Sequence, residues 1–369
     1  MKKIVLISYV TYPGTSPRQL RTDELAKELA RQGHKVTLYV LKGDFNYDTY
    51  EKENNIIIKE LGPTYLFKFS HKKGSSLNKT HIKILRKLIG RYIEYPHIEL
   101  IKNSYKALKK ENDIDLLISI GSPHPIHWGV ALYRSINKKK LKNTIWVSDC
   151  GDPYMGNSLI KPPFYFKYVE KFFCRKTDYI SIPIEEAKNG YYPEFLDKIK
   201  IIPQGFNFEK IKINKNFIKN QVPTFIYAGT FYRGLRDPRP LLDYLSSLNE
   251  NFKFIVYTKN IKYLQKHKTI LGDKLEIHDY IPREKLIFEM SKSDFLINLE
   301  NPSKNQSPSK LIDYALSGRP ILSINTNKEI DKKLIYQFIQ GNYEKSFKID
   351  NIEKYNIKNV ANEFLKLLN

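Results

Sequence analysis

KIVLISYV at residues 3–10, RQLRTDELAKELAR at 18–31 and KVTLYVL at 35–41 decide the fold. The first is an apolar run of strand length. The second carries Leu20, Leu25, Ala26 and Leu29 at helical spacing, and Gly33-His34 stops it. The third returns to strand. Parallel strands need a crossover, and a helix supplies it, so this opening predicts a parallel, doubly wound sheet. The basic start and short apolar run also fit a secretory leader. Pro13, Gly14 and a charged helix stand where a small-residue cleavage site belongs, so we read a first strand.

Outward from this unit, strands are predicted at Ile56–Leu61, Asp115–Gly121, Thr144–Cys150, Asp178–Pro183 and Lys198–Pro203. A second series begins after Gln204-Gly205. It predicts strands at Thr224–Gly229, Phe252–Tyr257, Leu275–Ile281, Asp294–Leu299 and Pro320–Ile324, with helices at Arg239–Leu248, Glu284–Ser291 and Ser309–Leu316. The expected architecture is α/β: two Rossmann-like doubly wound domains, residues 1–205 and 206–369, facing each other across a cleft. The last helix, Val360–Leu368, is a candidate for crossing back. Residues 65–112, dense in Lys, Arg and His with interleaved Tyr and Phe, read as a basic insertion in the first domain.

The 369 residues suit two domains, and 41% hydrophobic content excludes global disorder. No apolar run approaches the roughly 20 residues of a bilayer span. Cys150 and Cys174 make no disulfide framework, which fits a reducing, cytoplasmic setting. Lys and Arg number 62 against 39 acids, a net charge of +23. Such a field attracts polyanions; the alternative is a lysine-rich, solvated surface. No helix-turn-helix, zinc-finger or RNP-like pattern is present and the charge spreads over both halves, so no nucleic-acid partner is expected. No clustered His/Cys ligand set is apparent, so neither metal nor cofactor is expected.

The strongest local signal is SPSKLIDYALSGRP at 307–320. Ser-Pro-Ser-Lys opens a helix, an acid follows within the first turns, and Gly-x-Pro leads into a strand. A helix N-terminus offers unpaired N–H groups and a partial positive charge, so a phosphate can sit there. Lys310 adds a mobile cation. The Asp313 carboxylate can accept both hydroxyl protons of a ribose. The alternative is a capped helix, with Ser307 or Ser309 as N-cap and Asp313 answering the helix dipole.

This segment resembles the nucleotide-sugar site of retaining GT-B glycosyltransferases of the family 4 type. Many of these read Pro-Ser-Lys-Leu-acidic, followed by Gly-Lys/Arg-Pro. Other segments agree in order. Tyr227-Ala228-Gly229-Thr230-Phe231-Tyr232-Arg233-Gly234 resembles the first strand and loop of the donor domain, with Arg236-Asp237-Pro238-Arg239-Pro240 opening its helix. Ile202-Pro203-Gln204-Gly205 is similar to an Ile-Pro-Asn-Gly hinge. Ser122-Pro123-His124-Pro125-Ile126-His127-Trp128-Gly129 and Asp149-Cys150-Gly151-Asp152-Pro153-Tyr154 match acceptor-side loops of a subgroup. The resemblance implies transfer of a sugar, with retention, from a nucleotide-diphosphate donor to a saccharide or lipid-linked saccharide acceptor. It also implies a place in bacterial surface-polysaccharide assembly, at the cytoplasmic side of the membrane.

Two departures stand out. Family members often carry two glutamates eight positions apart; here Asp313 takes the second place and Asn305 the first. The subgroup's Asp-x-Arg-Asp-Pro-Trp has Gly151 in place of its arginine. These keep open a GT-B sugar-nucleotide epimerase and an inactive, glycosyltransferase-like binding protein.

Within the resemblance, roles follow from the reaction. Breaking a sugar–phosphate bond builds negative charge on the diphosphate, and without a metal, fixed cations and N–H dipoles must hold it. Arg233 and Lys310 are the first candidates, with Arg236 a lesser one. Gly229, Thr230, Ser307, Ser309 and Asp313 complete the donor side, and Gly14 lets backbone approach the donor phosphates. His127 and His124 follow one strand and Asp149 and Asp152 another, both at carboxyl ends where α/β proteins bind ligands. His127 is a candidate to touch donor or acceptor, and Asp149 to orient the acceptor hydroxyl. The alternatives are a structural histidine and turn carboxylates.

HIKILRKLIGRYI at 81–93 places Lys83, Arg86, Lys87 and Arg91 beside an apolar stripe of Ile82, Leu85, Ile89 and Tyr92. Such a helix can lie in an anionic membrane interface; the alternative is a surface helix packed on its own domain. Each cation near the headgroups contributes about 1 kcal/mol, decaying within a Debye length of roughly 8 Å. Replacing the four cations by glutamine is therefore expected to release the protein from anionic vesicles in a sedimentation assay. Unchanged sedimentation at low salt makes the helix a packing element.

Overall fold

The computed structural model describes residues 1–14, 16–66, 88–90, 92–157, 161–234, 236–300 and 309–369, without the side chain of Ser309. The basic stretch 81–93 and positions 305 and 307 thus lie wholly or largely outside the described residues. Two units are resolved: Met1–Phe206 with Tyr355–Asn369, and Asn207–Lys354.

Apolar runs with both faces buried make parallel strands, and the first unit is built from them. Its strands are β1 (Lys3–Ser8), β2 (Lys35–Val40), β3 (Ile56–Glu60), β4 (Leu116–Ile120), β5 (Ile145–Asp149), β6 (Tyr179–Ile182) and β7 (Ile199–Ile201). They form one parallel sheet in the order β3-β2-β1-β4-β5-β6-β7. The order reverses between β1 and β4, the switch point beside which α/β sheets bind ligands. Ile4 and Leu6 face α1 (Pro17–Arg31) and the last helix, α11 (Ile357–Lys366), through Leu25, Leu29, Val360 and Phe364. Val5 and Ile7 face the opposite layer of α3 (Glu99–Lys109), α4 (Pro125–Ile136) and α5 (Phe166–Lys176). A short α2 (Asp48–Asn54) leads into β3.

Helix α3 falls within the stretch read as a basic insertion, 65–112. It lies between β3 and β4 in the chain and packs on α4. Its buried stripe is Leu100, Asn103, Ser104, Ala107 and Leu108, and the polar members hide the helical period. The chain returns to the first unit through Phe206, whose N–H donates to the Tyr355 carbonyl at 2.8 Å. Gly205 lies under α11, where a Cβ would fall 2.4 Å from Ile357 Cδ1.

The second unit has β8 (Thr224–Ala228), β9 (Lys253–Tyr257), β10 (Leu275–His278), β11 (Phe295–Leu299) and β12 (Ile321–Ile324) in the parallel order β10-β9-β8-β11-β12. Phe225, Tyr227 and Ile297 face α6 (Arg239–Ser246), α7 (Gln265–Leu271) and α10 (Lys332–Ile339). Ile226 and Leu296 face α8 (Arg283–Met290) and α9 (Ser309–Leu316) through Met290 and Tyr314. No helix among the described residues is long and apolar enough to cross a membrane.

One ion pair ties the first unit across its layers. Arg21, 2% exposed, donates to Asp149 from Nε at 3.2 Å and from Nη2 at 2.8 Å. It also donates to the carbonyls of Ile202 and Pro203 and lies over the Phe364 ring. Removing one partner of a buried pair costs about 3–5 kcal/mol, because the other stays buried and unpaired. Arg21→Met is expected to lose about that much in chemical denaturation, and Arg21→Met with Asp149→Leu to recover part of it.

Candidate functional site

In the first unit, the carboxyl ends of β1, β4 and β5 carry the expected residues. Asp149 closes β5. Its carboxylate accepts from Arg21, from Arg18 Nη1 at 3.2 Å and from Ser181 Oγ at 2.7 Å. Burial alone would raise its pKa; Arg21 and Arg18 outweigh burial and lower it. Asp152 stands exposed on the next turn. Glu170 of α5 shapes that turn by accepting the Tyr154 N–H at 3.0 Å, and burial lifts its pKa to about 6.

His127 is fully buried on α4. Trp146 Nε1, which can only donate, bonds Ser119 Oγ at 2.8 Å, and Ser119 Oγ lies 2.7 Å from His127 Nδ1. The serine proton is thus free for Nδ1, which makes Nε2 the protonated nitrogen, 3.5 Å from Cys150 Sγ. The ring stacks on Phe173, and a Cβ on Gly121 would fall 2.5 Å from Nε2. His124, the residue before α4, has a buried Nδ1 with no partner among the described residues. Burial, then Arg18, pushes its pKa down to about 4.

His124, His127 and Cys150 bring ligand atoms within 4.8 Å of one another, a His/Cys cluster that linear spacing hid. This corrects the expectation of no such set. Without an ion the cluster is neutral: burial lifts the Cys150 thiol to about 12 and lowers both imidazole pKa values. Gly14 lies on the loop after β1, and the space of its missing Cβ is filled by Gln19. That side chain accepts the Ser16 N–H and closes the capping box of α1.

In the second unit, Gly229 follows β8 with a φ of +149° that favours glycine, and Thr230 follows exposed. Tyr232 and Arg236 exchange backbone bonds, so exposed Arg233 rides a tight loop with Gly234 at φ +75°. The Arg236 guanidinium lies over the Tyr232 ring, and its Nε is buried without a partner among the described residues. Lys310, in the first turn of α9, donates to the Leu299 carbonyl at 3.3 Å and lies over the Tyr227 ring at 5.1 Å. Among the described residues it has no carboxylate partner. Burial, then Arg236, pulls its pKa down to about 7. Tyr314 accepts the Ala228 N–H at 2.9 Å and fixes α9 against β8. Asp313 is paired with Arg283 of α8, 2.8 Å from Nε. Its pKa is raised by burial against the opposing pull of that arginine. Ser309 opens α9.

Sequence reading missed Arg18, Arg21, Arg283 and Cys150. A signal existed for the first two. They stand in and next to the first turn of α1, which holds no acid, where the helix dipole disfavours cations unless an anion from elsewhere meets them.

Two parallel sheets of these orders, with ligand-type residues at the carboxyl ends beside each switch point, have known counterparts. The fold is that of the GT-B glycosyltransferases. A glycosyltransferase of Rickettsia africae aligns over 100% of this chain and 98% of its own, with a TM-score of 0.63 and 13% identity. HepE of Anabaena, in complex with UDP, aligns over 100% and 96%, with a TM-score of 0.59 and 11% identity. A TarM mutant of S. aureus, in complex with fondaparinux, α-GlcNAc-glycerol and UDP, aligns over 100% and 100%, with a TM-score of 0.57 and 12% identity. No protein-family model and no curated protein matches the sequence.

The depressed Lys310 pKa gives a test of its burial. Its folded value of about 7 lies below the ordinary 10.5, so the unfolded chain binds more protons between them. Stability from this group therefore rises with pH from about 7 towards 10.5. Lys310→Met is expected to flatten that part of the melting-temperature profile; an unchanged slope places the ammonium in solvent.

Proposed function

We propose that the protein transfers a sugar from a nucleotide-diphosphate donor to a saccharide or lipid-linked saccharide acceptor, with retention, in bacterial surface-polysaccharide assembly. The observation that carries the reading is Lys310. A desolvated ammonium stands at the carboxyl edge of β8 and β11, without a carboxylate among the described residues and beside an Arg236 Nε that has no partner among them. A diphosphate is the ligand such a site lacks. It would restore the proton to Lys310 and grow more negative as the sugar bond breaks, so the attraction strengthens towards the transition state. Arg233, on the adjoining loop, and the amide groups opening α9 add to it. Asp313, already answered by Arg283, keeps one carboxylate edge for a ribose. No metal enters this reading, because the chain brings its own cations.

On the acceptor side, the reading gives His124 the role of a neutral hydrogen-bond acceptor near the reacting hydroxyl. His127 and Asp149 position it from within. The retaining, family 4 assignment and the polysaccharide setting rest on the ordered sequence resemblance, and peripheral contact with an anionic membrane on the basic, amphipathic sequence at 81–93.

Lys310→Ala and Arg233→Ala are each expected to lose about 2.7–4 kcal/mol of transition-state stabilisation, on the order of 100-fold or more in rate, with the fold kept. The assay is release of nucleoside diphosphate from nucleotide sugars, run also in excess EDTA. Wild-type rates in both variants remove the two cations from the mechanism, and loss with EDTA removes the metal-free reading.

A further inference from the structure

Gly151 follows β5 with a φ outside the left-handed region, so its backbone conformation does not ask for glycine. Space does. A Cβ there would lie 2.8 Å from Arg18 Cζ, 2.9 Å from Nη2 and 3.0 Å from Nε. Near-equal distances to three atoms of one plane mean that the guanidinium lies face-on to the glycine. Gly151 is also where the resembled pattern carries an arginine, so a guanidinium reaches the same turn from another element, α1.

Among the described residues its charge is answered only in part. Among the described residues, Asp149 is the only carboxylate in ion-pair contact with the two guanidiniums, and Arg21 takes it through two donors. Arg18 reaches it through Nη1 alone, at 3.2 Å, and the same nitrogen meets the Gly121 carbonyl at 3.4 Å. The Arg18 side chain is 22% exposed, against 2% for Arg21. Asp152, exposed on the next turn, is a weaker neighbour than Asp149. The histidines beside it carry no charge at neutral pH. Among the described residues, the Nε and Nη2 donors of Arg18 stay uncommitted. That edge of a guanidinium grips two oxygens of one phosphate. The positive end of α1 adds to the attraction.

We infer that Arg18, seated on Gly151, is a phosphate-binding residue at the carboxyl edge of the first unit's sheet. The inference rests on the transferase reading for the source of the phosphate, which is either the donor diphosphate or a phosphate on the acceptor.

The test titrates full-length protein calorimetrically. The first probe is whichever of UDP, GDP, ADP and dTDP most raises the melting temperature. The second is inorganic phosphate, added to protein saturated with the first. Arg18→Met is expected to weaken one of the two by about tenfold to a hundredfold, the worth of a charge-assisted hydrogen-bonded pair. Loss for the nucleoside diphosphate marks a donor phosphate; loss only for inorganic phosphate marks an acceptor phosphate. Arg18→Gly combined with Gly151→Arg, which returns a guanidinium to the turn, is expected to restore the lost binding.

Wild-type binding of both probes by Arg18→Met overturns the inference, as does a loss that the exchange leaves in place. Should Arg18→Met not fold, Arg18→Lys carries the test, since it keeps charge and loses the fork: unchanged binding overturns, weakened binding supports. Binding is read without turnover. Phosphate held through Arg18 in a protein that transfers no sugar removes the transferase reading alone. Wild-type transfer and binding by Arg18→Met remove this inference alone.

Discussion

A buried carboxylate is the constraint on which the first unit depends. Asp149 ends the interior strand β5, out of water, and cannot stay ionised there without partners. Its three partners come from two elements: Arg18 and Arg21 on α1, and Ser181 on β6. Arg21 extends the link to the carbonyls at 202–203 and to the ring of Phe364 on α11. The outgoing and returning crossings of the chain are therefore pinned to the helix that follows β1. The loops above inherit this order. Gly121 donates its N–H to the Asp149 carbonyl and accepts from Arg18, and the turn after β5 runs directly from the anchored strand.

Four glycines in this unit work as sockets, not as hinges. Gly14, Gly121, Gly151 and Gly205 all have φ outside the left-handed region. A Cβ on each would collide with Gln19, His127, Arg18 and Ile357 respectively. Interiors are close-packed, so a missing methyl in one element is room for a side chain of another. The socketed groups are a helix cap, a buried imidazole, a half-exposed cation and a helix contact. The glycines so place chemistry that their own positions lack.

This explains what was legible in the chain and what was not. Strands such as Lys3–Ser8 and Phe295–Leu299 declared themselves, since a strand buried on both faces is a plain apolar run. Helix Glu99–Lys109 did not, because Asn103 and Ser104 sit in its buried stripe. Lys310 stood out through local order: a cation opening a helix after a strand. Arg18 offered only the hint of a cation in an acid-free first turn, because its partners Gly151 and Asp149 lie more than a hundred residues away. The His124–His127–Cys150 cluster was hidden the same way, and its neutral state follows from burial, which no spacing shows. Asp313 was read against ribose or dipole, while a third partner, Arg283, came from a neighbouring helix.

The two units treat buried cations differently, and the difference bears on ligand choice. Arg21 is held by a carboxylate of its own unit, and the pair is inert scaffolding. Lys310 is left with a carbonyl and an aromatic face, which favour a cation but do not neutralise it. Keeping such a group buried makes the empty site less stable than it would be with an apolar residue. Evolution retains that disadvantage where occupancy removes it. A neutral sugar cannot remove it, and a monovalent anion does so only in part against a proton that is half lost near neutral pH. A diphosphate restores the proton and supplies oxygens for the buried Arg236 Nε as well. In the proposed reading, preference for a polyvalent phosphate would thus come from the local demand of Lys310 and Arg236, not from the total charge of +23.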